Sequence, residues 1–129
     1  MADPARFVAI VDDEEPIRKA LERLLRSANL EAEVFASGDA FLDSLADRRP
    51  NCLILDLHMP GMTGLHVLRH LKQSGMELPT IVITAHDEPE ARVHCMAAGA
   101  TAYLRKPFEG QILLDAVASA TKLRTDGKP

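Results

Sequence analysis

Apolar and polar positions follow two rhythms along this chain. Short, nearly continuous apolar runs recur at residues 7–11 (Phe-Val-Ala-Ile-Val), 52–56 (Cys-Leu-Ile-Leu-Asp), 80–84 (Thr-Ile-Val-Ile-Thr) and 102–105 (Ala-Tyr-Leu-Arg), with an alternating stretch at 31–35. Runs this short, several of them bounded by proline, predict buried strands, and the alternating stretch predicts an edge strand. Between them apolar residues fall at helical spacing. They are Ile17, Ala20, Leu21, Leu24 and Leu25; Phe41, Leu42 and Leu45; Leu65, Leu68 and Leu71; and Ile112, Leu113, Ala116, Val117 and Ala120. Pro16 suits a first helical position, Asn29 a helix end and Ser37 an N-cap, while a helix beginning near Thr63 is stopped by Gly75. The segment 87–96, ended by Gly99, is the least amphipathic helix, with Val93, Met96 and Ala97 as its core candidates. Residues 121–129 are polar and read as a tail or the start of a linker, which leaves 1–120 as one domain.

Five strands alternating with five helices predict an α/β fold, a parallel sheet with helices on both faces and right-handed crossovers. The common solution for five strands is the flavodoxin-like, doubly wound order 2-1-3-4-5, whose switch point lies between strands 1 and 3. Four strands end on a polar residue: Asp12-Asp13 after the first, Asp56 in the third, Thr84 in the fourth and Lys106 after the fifth. In a parallel sheet these ends share one edge.

Composition narrows the function classes. The chain has 129 residues, 47% hydrophobic and 26% charged, the proportions of a globular domain. No apolar run approaches the ~20 residues of a membrane helix, and the N-terminus has no secretory pattern, so a cytoplasmic location without membrane contact is expected. A net charge of −4, one tyrosine and no tryptophan argue against direct nucleic-acid binding. Cys52 and Cys95 lie far apart in apolar surroundings and read as buried, reduced thiols.

The edge residues suggest chemistry. Three carboxylates at the switch point repel one another unless one is protonated or a cation sits among them. An oxygen-only cluster open to water suits Mg²⁺, which takes one or two carboxylates and keeps several waters. A hydroxyl at Thr84 and an ammonium at Lys106 facing the same spot would receive an oxyanion. Together these are the parts for forming an aspartyl phosphate on Asp56. Taken singly, each has an ordinary reading: helix-start acids at residues 12–15, a turn aspartate at Asp56, a capping threonine, a solvated lysine. Their coincidence on one edge favours the site.

These residues also carry a resemblance. Val11-Asp12-Asp13-Glu14, the stretch from Leu55 through Asp56 to Gly64, Val82-Ile83-Thr84-Ala85, Gly99-Ala100 and the stretch from Tyr103 to Phe108 resemble the receiver domains of two-component response regulators, most of all those with a LuxR-type DNA-binding output. The resemblance spans residues 7 to about 120. It implies Asp56 as the phosphoacceptor, Mg²⁺ held by Asp12, Asp13, Asp56 and the backbone carbonyl of His58, and Thr84 and Lys106 on the phosphoryl group. It implies Tyr103 as a switch aromatic that turns inward as Thr84 moves, and a cis peptide between Lys106 and Pro107. The phosphodonor would be the phosphohistidine of a sensor histidine kinase. Phosphorylation would alter the face of the fourth helix, fifth strand and fifth helix, to drive homodimerisation or to control an output DNA-binding domain if the chain is a fragment. The protein would be a signalling switch, not an enzyme beyond assisting its own phosphorylation and dephosphorylation.

His58 and His86, each two residues past a site residue, are expected to flank the acceptor and tune the phosphate's lifetime; solvated loop histidines are an equal alternative. His66 and His70 share a helix face but lack a third metal ligand, and His94 reads as surface. A phosphatase would want an acid where His58 stands, and a nucleotide-binding domain would want a glycine-rich loop where Asp12 to Glu15 stand. A receiver-like adaptor that is never phosphorylated is the remaining alternative.

Overall fold

A computed structural model describes the backbone of residues 6–126 and the side chains of residues 6–121. The elements alternate as β1 (Val8–Val11), α1 (Glu15–Ser27), β2 (Ala32–Phe35), α2 (Gly38–Ser44), β3 (Cys52–Asp56), α3 (Gly64–Gln73), β4 (Thr80–Thr84), α4 (Pro89–Ala97), β5 (Ala102–Arg105) and α5 (Gly110–Asp126). The five strands form one sheet in the order β2-β1-β3-β4-β5, and every pairing is parallel. This is the flavodoxin-like arrangement the alternation predicts.

Period-two strand geometry divides the apolar runs between two core layers. Leu53, Leu55 and Val82 face one side, where Phe41 of α2, Val67, Leu68 and Leu71 of α3 and Cys95 of α4 cover them. Cys52, Ile54, Ile81 and Ile83 face the other, against Leu21 and Leu25 of α1 and Leu113 and Val117 of α5. β1 and β3 are buried along their whole length, which is why both read as unbroken apolar runs.

Local chemistry sets the helix ends. The Ser37 hydroxyl accepts from the Ala40 N–H. At α3 the Thr63 hydroxyl accepts from the His66 N–H while the His66 ring accepts from the Thr63 N–H, a reciprocal capping pair. Asn29, Gly75 and Gly99 each adopt positive φ just past a helix.

Three expectations need correction. Val93 and Met96 of α4 are 65% and 44% exposed, and Ala97 is exposed too. The helix packs inward through Cys95 and Ala91, with Ala98 just beyond its end. Its apolar residues are few and mostly small, so periodicity did not determine which face turns in. On α5, Ile112 is 47% exposed while Leu113, Val117 and Ala120 are buried. Finally, α5 runs to Asp126, so the expected boundary at residue 121 falls inside a helix. Residues 127–129 of the expected tail lie outside the described residues.

Candidate functional site

The carboxyl edge of the sheet brings the polar strand ends together. β1 pairs with β3 so that Val11 lies beside Leu55, which sets Asp12 and Asp56 side by side one residue later. Ligand oxygens of Asp12, Asp13 and Asp56 lie within 4.8 Å of one another. Asp12 is fully buried and Asp56 is 4% exposed, whereas Asp13 faces solvent. Asp12 is fixed at both ends: its carboxylate accepts from the Glu14 N–H at 2.9 Å, and its carbonyl accepts from Arg18 Nη1 at 2.8 Å.

Lys106 reaches over from the end of β5. Its Nζ donates to Asp12 Oδ2 at 3.2 Å and lies 3.6 Å from Asp56 Oδ1. The peptide that follows, Lys106–Pro107, is cis. One ammonium does not balance the cluster. Burial, then the Asp12 carboxylate, push the Asp56 carboxyl up from 3.8 to about 7, against the opposing pull of Lys106 and the His58 N–H. A protonation-prone carboxyl among oxygen ligands, open to water at Asp13, is a setting that a hard divalent cation relieves, so the residues fit Mg²⁺.

The α3 side of the pocket depends on close backbone approach. A Cβ on Gly64 would lie 2.5 Å from the Asp56 carbonyl oxygen and 2.8 Å from Leu57 Cα. The Gly64 N–H donates to the Leu57 carbonyl at 3.0 Å. Glycine therefore lets the first turn of α3 press against the strand that carries Asp56.

The α4 side is built from Thr84, His58, His86 and Tyr103. The Thr84 hydroxyl is fully buried. It accepts from the His86 N–H at 3.0 Å, sits 3.1 Å from the His86 carbonyl and 3.1 Å from His58 Nδ1. The His58 and His86 rings meet edge to face, with centroids 5.2 Å apart. Tyr103 is buried, with the Arg92 guanidinium 5.4 Å from its ring centroid. Its hydroxyl makes no hydrogen bond of normal length among the described residues, with the Asp87 side chain its strongest polar influence. Burial first, and then the Asp87 carboxylate, raise its pKa above the ordinary value.

Of the residues proposed from the sequence, Asp12, Asp13, Asp56 and Lys106 are thus brought together, Thr84, His58 and His86 form a second linked group at the end of the neighbouring strand, and Tyr103 lies in the core layer beside it. Arg18 and Arg92 were not anticipated. Each carries an ordinary surface-residue signature, and only the fold reveals what it touches. His66 is exposed, as expected of a solvated histidine, and also caps α3. Both cysteines are buried and free, and burial raises the Cys52 thiol to about 12 and the Cys95 thiol above its ordinary value.

Comparison with known proteins agrees with this geometry. The model of the response regulator receiver domain matches residues 8–118. The response regulator protein TodT of Pseudomonas putida is 40% identical over 123 residues, covering 95% of this chain and 54% of TodT. The transcriptional regulatory protein FixJ of Rhizobium meliloti is 39% identical over 115 residues, covering 89% of this chain and 56% of FixJ. The chain therefore spans about half the length of these relatives. Among solved structures, the crystal structure of FixJ-N superposes with a TM-score of 0.86 at 38% identity, covering 95% of this chain and 96% of that one. A response regulator receiver protein from Burkholderia phymatum gives 0.80 at 44% identity, covering 91% and 95%. The matched span runs from the first residue of β1 well into α5 and takes in the whole carboxylate pocket, and on that ground the chain belongs to the response regulator receiver domain family.

Proposed function

We propose that this domain accepts a phosphoryl group on Asp56 from the phosphohistidine of a sensor histidine kinase and passes the change on as an altered surface. The observation that carries this reading is the convergence, at the end of the central strand, of a buried carboxylate, two further carboxylates and one ammonium. Asp56 Oδ attacks phosphorus; the P–N bond to the donor imidazole breaks, and its electron pair leaves with the imidazole. The Lys106 ammonium stands where it can neutralise charge on the transferring oxygens, and the Thr84 hydroxyl is the nearest buried donor on the neighbouring strand. Asp12, Asp13 and Asp56, with the His58 carbonyl, would hold Mg²⁺, which when bound supplies the positive charge that keeps Asp56 ionised and screens the incoming phosphoryl oxygens. The chain's own contribution is to hold Asp12 by Arg18 and Glu14, to bury the nucleophile, and to position Lys106. The domain itself turns over no external substrate beyond making and losing its own phosphoryl group.

The reading extends to partners. The receiver extends through α5, past the boundary expected at residue 121, and the chain beyond it would lead toward an output domain, as the half of TodT and FixJ that this chain leaves uncovered supports; the resemblance adds that this output would bind DNA in the LuxR manner. Val93, Met96 and Ile112 are exposed apolar residues on α4 and α5, which suits a face that dimerises or meets the output domain when phosphorylated. A cytoplasmic setting accords with two unpaired, buried thiols.

Intact mass after incubation with acetyl phosphate and Mg²⁺ tests the reading. The wild type should gain one phosphoryl group, dependent on Mg²⁺, and Asp56→Asn should gain none. Equal gain on both proteins would place the modification elsewhere. No gain on either, with no response of Thr84 or Tyr103 resonances to beryllofluoride, would favour an adaptor that is never phosphorylated.

A further inference from the structure

The hydrogen bonds of Thr84 fall into two kinds. Those to the His86 N–H and carbonyl tie Thr84, the last residue of β4, to the loop that directly follows it. The contact with His58 Nδ1 spans 26 residues and joins the end of β4 to the loop after β3. The loops after β3 and β4 also meet where the His58 and His86 rings pack edge to face. His58 thus touches both the side chain of Thr84 and the ring that follows it.

We propose that the His58 imidazole is a positioning residue that clasps Thr84 in the unphosphorylated arrangement, so that phosphorylation of Asp56 proceeds against this clasp. The inference rests on the phosphoacceptor reading above. A threonine hydroxyl has one proton to donate. With the His58 proton on Nε2, Nδ1 takes the Thr84 proton. With it on Nδ1, His58 donates and Thr84 turns its own proton to the His86 carbonyl. In both tautomers the proton is committed elsewhere, and a phosphoryl oxygen, which only accepts, must compete for it. With the proton on Nε2, an arrangement in which Thr84 donates to the phosphoryl group forfeits the bond to His58; with it on Nδ1, Thr84 gives up the His86 carbonyl and keeps His58 only while its oxygen stays in place. A hydroxyl that turns to another rotamer leaves Nδ1 in either case, and the free equilibrium is biased toward the clasped form by the strength of that bond.

The clasp acts through the side chain alone, so substituting His58 leaves its backbone carbonyl in place. Asparagine puts a polar atom close to where Nδ1 lies; alanine puts none. The first measurement needs no phosphoryl group: the χ1 rotamer of Thr84, from methyl three-bond couplings in the ion-free protein. Wild type and His58→Asn should hold one rotamer, and His58→Ala, with only the His86 backbone bonds left to hold the hydroxyl, should gain a measurable population of a second. The second is beryllofluoride affinity in Mg²⁺. His58→Ala should bind about three- to tenfold more tightly than wild type, the factor carried by one ordinary hydrogen bond, and His58→Asn should return toward wild type. A fixed Thr84 rotamer in His58→Ala would overturn the clasp whether or not beryllofluoride binds. Averaged rotamers with unchanged affinity would overturn its consequence for phosphorylation. Failure of the wild type to bind beryllofluoride would sink the phosphoacceptor reading, and with it the step the clasp is said to oppose, while leaving the rotamer result to decide the clasp itself.

Discussion

The helices on either side of Asp56 are held in different ways. α3 begins with a reciprocal cap between Thr63 and His66, presses Gly64 against the backbone of Asp56 and Leu57, and buries Val67, Leu68 and Leu71. α4 has no side-chain cap, buries Cys95 alone, and turns Val93 and Met96 to solvent. A change at Asp56 therefore meets a fixed wall on one side and a loosely held element on the other. Where stability is unevenly distributed, the weakly packed element is the one that shifts, so on the proposed reading α4 and the loop before it are the parts of this fold able to report a change at Asp56.

The largest effect that separates the two sides is in the core. Leu68→Ala on α3 should cost about 2–5 kcal/mol of unfolding free energy, because a side chain 2% exposed leaves a cavity. Val93→Ala on α4 should stay within about 0.5 kcal/mol of wild type. Urea denaturation of the two variants checks both. Comparable losses would mean that α4 is anchored as firmly as α3, and the contrast would fail.

The second effect comes from the acceptor between them. Asp56 keeps its proton up to about pH 7 in the folded protein, against an ordinary carboxyl value near 4 in the unfolded chain. Folding thus takes up a proton in the window between about 4 and 7. Stability contributed by that proton is lost as pH rises through the window, and the loss is complete above it. In ion-free protein, wild type should lose about 2–4 kcal/mol relative to Asp56→Asn between pH 4 and pH 8, and Mg²⁺ at pH 8 should restore part of it. Paired thermal melts of the two proteins across pH give the difference for the carboxylate cluster as a unit, since groups away from it titrate alike in both. A flat difference would mean that Lys106 already balances the cluster.

Much of this was legible in the sequence, for an identifiable reason. A buried parallel strand is an apolar run that stops where its side chains reach solvent or a site, so Cys52–Asp56, Thr80–Thr84 and Ala102–Arg105 are found where the runs place them. The polar residues that end them collect at one edge because the pairing is parallel. Helix faces were legible only where large aliphatic residues repeat. On α1 and α3 they do; on α4 the inward residues are Ala91 and Cys95, and the bulkier Val93 and Met96 drew the reading to the wrong face. α5 outran its expected end because polar composition does not stop a helix, and no glycine or proline intervenes before Gly127. Contacts between distant loops, such as His58 with Thr84 or Arg92 with Tyr103, depend on rotamers and register that no periodicity encodes.

The smallest predicted effect is the most direct probe of the α4 side. The Arg92 guanidinium over the Tyr103 ring is a contact from α4 to β5, made by an exposed residue on one side and a buried one on the other. At such a site a cation–π contact is worth about 0.5–1 kcal/mol, small against the whole fold but large against what holds α4, whose other inward anchors are Cys95 and Ala91. Arg92→Ala should therefore lower global stability by that modest amount, shift the Tyr103 ring resonances, and speed amide hydrogen exchange along α4 while leaving α3 unchanged. Arg92→Lys, which keeps the charge but not the planar guanidinium, should fall between the two. The pattern of exchange carries the argument. Equal acceleration in α3 and α4 would show that the two helices loosen together, and a side of the pocket that moves only with its opposite wall could not be the one that reports the acceptor's state.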